Sequence, residues 1–464
     1  MRLIKLACCV AMGAGSMACG DGTAASGSAG SGDDGVTLTP GSDTGTSSAE
    51  SSTGGNSNSA TAATTATPTD DTSDPPVDSS GPPPVGFDVA ALPDLPPNMC
   101  QPGGKGGGGN GDPEFSFLWA SNSAEGTISK IDTQTVTEVG RYATRPDALG
   151  SPSRTSVSLT GNVAVANRTG GITKFYANQA DCAESNGMGG LQTSESNVAL
   201  PWDQEECRAW YIPFDYDSQR PVAWAPGDWN QAACTWQNEK LWTAGRYGQM
   251  QTEVVLIDGD AGVVLDTVDI PGLKADQFGL YGGAVDADGN FWTTGWATGN
   301  HLVRVDIDNM EATVWPGPSI VAESHWYGMT VDVNGYVWNC ASRVARFDPA
   351  DESWTVSDEL PSWSAGCMAD ADPDGLLWLG SDGTGLFGID RETFDLVHQW
   401  PTPSAYGVSI DFFGYVWAVN GNGAHRVDPE TGEVTSYNGL TGAYTYSDMT
   451  GYALNTVGGG IPSG

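Results

Sequence analysis

The chain has 464 residues, 57 of them acidic and 19 basic, for a net charge of −38 at neutral pH. Recognition of a phosphate backbone needs clustered Lys and Arg, so this balance excludes nucleic acid and anionic lipid as partners. With 16% charged residues, 63 glycines and 17 tryptophans, it suits short strands joined by tight turns, not Glu/Lys/Leu-rich helices.

The N-terminus reads as an address. Arg2 and Lys5 precede an apolar stretch, Leu6 to Ala18, too short to span a bilayer, so residues 1–18 are expected to be a secretory signal. Ser16-Met17-Ala18-Cys19 resembles a bacterial lipobox, which implies lipidation at Cys19. Residues 19–112, rich in Gly, Ser, Thr and Pro, cannot bury enough apolar surface to offset ordering entropy and are expected to be a disordered linker. A globular domain is expected over 113–456, with an insertion at about 176–215, and a flexible tail over 457–464.

Within that domain a phrase recurs. Tyr-Gly-Gly-Ala-Val-Asp-Ala-Asp-Gly-Asn-Phe-Trp (281–292) returns as Tyr-Gly-Met-Thr-Val-Asp-Val-Asn-Gly-Tyr-Val-Trp (327–338) and as Tyr-Gly-Val-Ser-Ile-Asp-Phe-Phe-Gly-Tyr-Val-Trp (406–417). Successive tryptophans at 242, 292, 338, 378 and 417 are spaced by roughly 40–50 residues, the period of a four-stranded propeller blade. The first strand carries Tyr-Gly-x-x-Val-Asp and the second the tryptophan. The third ends in Arg-Val-Asp-Ile-Asp-Asn (304–309), Arg-Phe-Asp-Pro-Ala-Asp (346–351) or Arg-Val-Asp-Pro-Glu-Thr (426–431), which is hairpin chemistry. Full blades are read at 278–318, 326–358, 364–401 and 405–438, with a looser one at about 219–271. Another starts at Ser153 and has Ala164 where the others have tryptophan.

The ends complete a further blade. Leu118-Trp119-Ala120-Ser121 through Lys130-Ile131-Asp132 lacks a first strand, and Tyr446-Ser447-Asp448-Met449 supplies one. The fold class is therefore all-β, a seven-bladed β-propeller whose N- and C-terminal strands share one blade, which leaves no open edge.

Six cysteines follow Cys19, an even number that suits an oxidising compartment. Register pairs Cys340 with Cys367 across adjacent blades. Cys182 and Cys207 bracket the insertion, and Cys100 with Cys234 follows by elimination.

The blade phrase resembles the repeat of the virginiamycin B lyase-like propellers, relatives of the NHL group. Pro152-Ser153-Arg154-Thr155-Ser156-Val157, Val165-Ala166-Asn167-Arg168 and Tyr444-Thr445-Tyr446-Ser447-Asp448-Met449 resemble exported propeller lipoproteins of myxobacteria-type organisms. The resemblance implies export and display at the outer membrane or surface of a Gram-negative cell, with the membrane reached through the N-terminal lipid only. The lyase it implies places a histidine just before a first-strand glycine and uses magnesium. This chain has Tyr281, Tyr327, Ala365 and Tyr406 at those positions, and Glu323-Ser324-His325 is displaced by two residues. The other histidines are His301, His398 and His425.

First strands line a propeller's axis, and their starts open on one face. That places Arg154, Arg220, Tyr281, Trp326, Tyr327, Tyr406 and Tyr446 around one mouth, with His325 beside it. Arginine forks match carboxylate or phosphate and tyrosines offer stacking surfaces, so the expected partner is a small anionic or carbohydrate ligand, or a protein. The alternative is that the tyrosines only pack and local Asp or Glu satisfies the arginines. No cofactor is expected. Calcium or magnesium could enter only at His325 with Glu323, or at the loop Glu184-Ser185-Asn186-Gly187-Met188-Gly189-Gly190, in which Met188 occupies a ligand position. Asp286, Asp332, Asp370 and Asp411, one per blade, are read as turn caps.

Overall fold

The computed structural model describes residues 116–458, apart from 231, 234, 249–250, 272, 274–277, 297–300, 319–325 and 384. Its sheets form seven blades in a ring. Blade 1 uses Phe117–Asn122, Thr127–Asp132 and Thr137–Ala143. Blade 2 is Pro152–Val157, Val163–Asn167, Ile172–Phe175 and Arg208–Ile212, and blade 3 is Ser218–Ala225, Lys240–Tyr247, Gln251–Asp258 and Val263–Asp269. In blade 4 a split inner strand, Gly279–Leu280 with Ala284–Val285, leads to Phe291–Trp296, Leu302–Val305 and Ala312–Trp315. Blades 5, 6 and 7 begin at Gly328–Val331, Ser364–Ala369 and Gly407–Ile410 and run outward through three antiparallel strands each.

The repeated phrase is a set of short-range devices. In blade 5 one Asp332 oxygen accepts from the turn amides of Asn334 (2.9 Å) and Tyr336 (3.0 Å), while the other accepts from the Trp338 indole at 2.8 Å. Asp286 and Asp411 hold Trp292 and Trp417 in the same way, each at 2.8 Å. The spacing thus does more than cap a turn, because one carboxylate closes the hairpin and fixes a core tryptophan. Opposite the tryptophan, the third strand carries a cation that reaches the next blade. Arg346 donates to the Arg391 carbonyl and Arg426 to that of Thr133. Lys174, opposite Ala164, reaches Gly259 at 2.8 Å.

The ring closes at blade 1. Trp119 N donates to Met449 O at 2.9 Å, Tyr444 N donates to Ser121 O at 3.1 Å, and Asn122 bridges Ala443. Beyond this segment the chain forms a helix, Tyr452–Gly458, that packs against the inner strands of blades 3, 4 and 5 with Leu454 buried. Asp448 leads into it and accepts from the amides of Thr450, Gly451 and Leu454. Burial pushes the Asp448 carboxyl up to about 6. The folded state therefore holds that proton more tightly than the unfolded chain, and stability from this group is lost as pH rises from about 4 through about 6. Relative to the wild type, Asp448→Asn is expected to gain roughly 3 kcal/mol between pH 4 and 7. Denaturant unfolding at several pH values checks this, and a constant difference between the two proteins would refute it.

Some expectations need correction. The insertion ends at Cys207, not near 215, because Arg208–Ile212 is the outer strand of blade 2. A hairpin, Asp228–Asn230 with Thr235–Gln237, interrupts blade 3 after its first strand. Val457 and Gly458, expected in a flexible tail, belong to the closing helix, whose apolar side packs under the axis. Cys182–Cys207 and Cys340–Cys367 are disulfides. The signal segment, Cys19, the linker and the Cys100–Cys234 pair lie outside the described residues.

Candidate functional site at the axis

First strands approach one another closely around the axis, and glycine permits it. A Cβ on Gly328, Gly366 or Gly407 would lie 2.4, 2.8 or 2.1 Å from the carbonyl oxygen of Ala365, Tyr406 or Thr445 in the next inner strand. The residues beside these glycines therefore converge. Tyr281, Tyr327, Ala365 and Tyr446 form one buried cluster, with Phe278, Trp363, Tyr406 and Tyr444 half-buried against it. The rings of Tyr327 and Tyr446 stand 4.8 Å apart, and Tyr281 meets Tyr327 edge-on at 5.2 Å. The Tyr281 and Tyr444 hydroxyls lie 3.0 Å apart, and Tyr446 donates to Tyr444 at 3.4 Å. Ser447, with φ of 99°, holds a conformation that L residues rarely adopt. It turns Tyr446 into the axis and Asp448 into the helix cap, the kind of local strain that recurs at functional sites.

Three arginines meet this cluster. Arg154 is fully buried, stacks on Tyr446 and donates through Nε (3.2 Å) and Nη2 (3.0 Å) to the Tyr281 carbonyl, while its Nη1 has no partner. Arg220 lies over Phe278 and Tyr281 and donates to Ser218 Oγ at 3.4 Å. Arg168 stacks 4.2 Å over Tyr444 and donates to Ser123 Oγ at 3.2 Å, leaving its buried Nε without a partner. Burial holds all three below the usual arginine range, and the Arg154 guanidinium is lowered further by the other two. Among the described residues no Asp or Glu pairs with any of them. By contrast Arg141, Arg145, Arg304, Arg343, Arg346 and Arg391 each sit within 4 Å of a carboxylate.

The structure thus brings together Arg154, Arg220, Tyr281, Tyr327, Tyr406 and Tyr446. Trp326 is elsewhere, packed with Ala341 and Ala345 in blade 5, because its side chain lies on the opposite side of the strand from that of Tyr327. His325 lies outside the described residues. Nor do the tyrosines leave an open channel: Tyr281 and Tyr446 are 1% exposed, so ring faces remain only at the half-buried members. Toward the helix the axis keeps a cavity of about 20 Å³, room for one water. Arg168 and Tyr444 join the site although sequence reasoning did not single them out. Their signal is position, since Arg168 directly follows a second strand and Tyr444 precedes the closing strand on the face where first strands begin.

The described histidines lie off the axis. His398 stacks between Trp378 and Trp400, and His425 bonds Ser436 and Asn420 with its pKa lowered by burial. In the 184–190 loop, one Glu206 oxygen already accepts from the amides of Ser185 and Asn186, and Glu184 accepts from Gly187. Among the described residues no group of three or more His, Cys, Asp or Glu is arranged to hold a metal ion.

Blade count, closing segment and axial plug define a seven-bladed propeller with an arginine–tyrosine cluster at one end of its axis. No family model matches the chain, and no curated protein resembles it in sequence. Among solved structures it is similar to AztD from Citrobacter koseri, at 11% identity over 71% of this chain and 96% of that one, with a TM-score of 0.42. The apo form of AztD gives 12% identity and a TM-score of 0.43. A protein of unknown function from Bacteroides caccae gives 11% identity over 62% of this chain and 94% of that one, with a TM-score of 0.41.

Proposed function

We propose that this protein is an exported, lipid-anchored binding module of the cell envelope, whose small ligand docks at the arginine–tyrosine end of the axis. One observation carries the reading: Arg154 is fully buried with a guanidinium nitrogen unpaired, beside two further arginines that no carboxylate among the described residues neutralises. A buried charge without an ionic partner is costly, and a bound anion would offset that cost. A lyase of the virginiamycin B type is less well supported, because tyrosine and alanine stand where its histidines would be.

The test separates binding from packing. Arg154→Met replaces a strained charge by an apolar chain of similar length, so stability is expected to hold or rise. Arg154→Ala with Arg220→Ala is expected to abolish ligand-induced thermal shifts found in a screen of carboxylates, phosphates and sugars. A loss of several kcal/mol in Arg154→Met, with binding unchanged in the double variant, would show that the arginines serve packing alone.

A further inference from the structure

Resting on that reading, we infer that the ligand presents an oxyanion headgroup carrying two or more negative charges, a phosphoryl or sulfuryl group or a dicarboxylate, and that Arg168 and Tyr444 help to hold it. Charge is the first ground. Three guanidiniums share one set of rings, since Tyr281 lies under both Arg154 and Arg220 while Tyr444 lies under Arg168 and touches Tyr281. Arginine stays protonated under ordinary conditions, so each disfavours its neighbours' charge. A single carboxylate would offset one charge of the three, whereas a dianion reaches two guanidiniums at once and reverses their mutual repulsion.

Hydrogen-bond geometry is the second ground. The Tyr281 carbonyl takes two donors of Arg154 and leaves Nη1, so this arginine offers one edge instead of a bidentate fork. Arg168 keeps Nε free after bonding Ser123. An oxyanion with several equivalent oxygens can take these separate donors, together with the terminal nitrogens of Arg220, from different directions. A neutral sugar can also hydrogen-bond, but it brings no charge to offset the guanidiniums. The half-buried rings of Trp363 and Tyr406, packed against Tyr327 and Tyr444, would meet the body of the ligand.

Full-length protein is titrated by calorimetry and thermal shift with inorganic phosphate, sulfate, succinate, acetate and glucose, at low and high salt. Saturable binding of at least one dianion is expected, weakening with salt, with acetate at least about tenfold weaker and glucose silent. Whether phosphate and sulfate or succinate binds more tightly distinguishes the phosphoryl or sulfuryl source from the dicarboxylate. Arg168→Gln, at a half-buried position, is expected to weaken the dianion about tenfold and to leave the melting temperature of the free protein within a few degrees of the wild type. Acetate binding as well as succinate, or Arg168→Gln without effect, overturns the inference. Glucose binding while every dianion fails overturns it too, yet leaves the axial binding reading standing. Silence from every probe overturns both.

Discussion

A chain that stops at Gly442 is expected to lose its cooperative unfolding transition. The missing segment is small, but it supplies the inner strand of blade 1. Without it Trp119 N and Ser121 O lose their partners at Met449 and Tyr444, and the first strand of blade 1 becomes an open edge. Met449 is fully buried among Leu118, Ala120, Ile131 and Trp417, which belong to blades 1 and 7. Tyr446 and Leu454, buried at the axis and beneath it, go as well. Each large apolar side chain contributes about 1.5–3 kcal/mol on burial, so three of them approach the whole 5–15 kcal/mol that stabilises a typical fold. Arg154 would also lose the Tyr446 ring and keep only that of Tyr281 beside its buried charge. Thermal melts by circular dichroism test this, and an unchanged cooperative transition would show that blade 1 closes without its C-terminal strand. Met449→Ala is the graded version, expected to cost about 2–5 kcal/mol while keeping two-state behaviour.

The same residues show what a sequence can and cannot carry. Asp332, Trp338 and Gly328 act within a few residues or against the adjoining strand, so their spacing recurs in every blade that uses the device and the ring is legible from it. Blade 2 is less legible because a long loop separates Phe175 from Arg208, so its outer strand falls within the expected insertion. The site was half legible. Positions at first-strand starts follow from register, which is why Arg154, Arg220 and four tyrosines come together. How tightly the rings fill the axis depends on seven blades closing at one radius, which no single phrase encodes. The absence of a carboxylate beside the three arginines among the described residues is likewise hidden. In a chain with three acids for every base, the sequence offers a partner to every arginine, and only the folded ring shows that none of the described acids reaches these three.

Asp332→Ala is expected to be the most damaging substitution in the repeated motif, costing about 3–5 kcal/mol. Asp332 is 1% exposed and serves three tasks: it closes its turn, anchors the Trp338 indole and pairs at 3.2 Å with Arg391, itself 5% exposed. Arg391 reaches over from blade 6, so the carboxylate also ties two blades together. Removing it leaves a buried guanidinium without its anion, an indole N–H without an acceptor and turn amides unmet, and buried donors left unmet are costly. The equivalent Asp286 pairs with a partly exposed Arg304 at 3.6 Å, so Asp286→Ala should cost about 1–2 kcal/mol, since an exposed pair is worth little. Asp411, fully buried but with no ion pair within 4 Å among the described residues, should fall between them. Denaturant unfolding of the three variants sets the order, and equal losses would mean that the shared turn and indole bonds dominate. Asp332→Asn with Arg391→Met supplies the remaining control. If the buried charge causes the damage, this double variant should recover much of the stability that either single change removes.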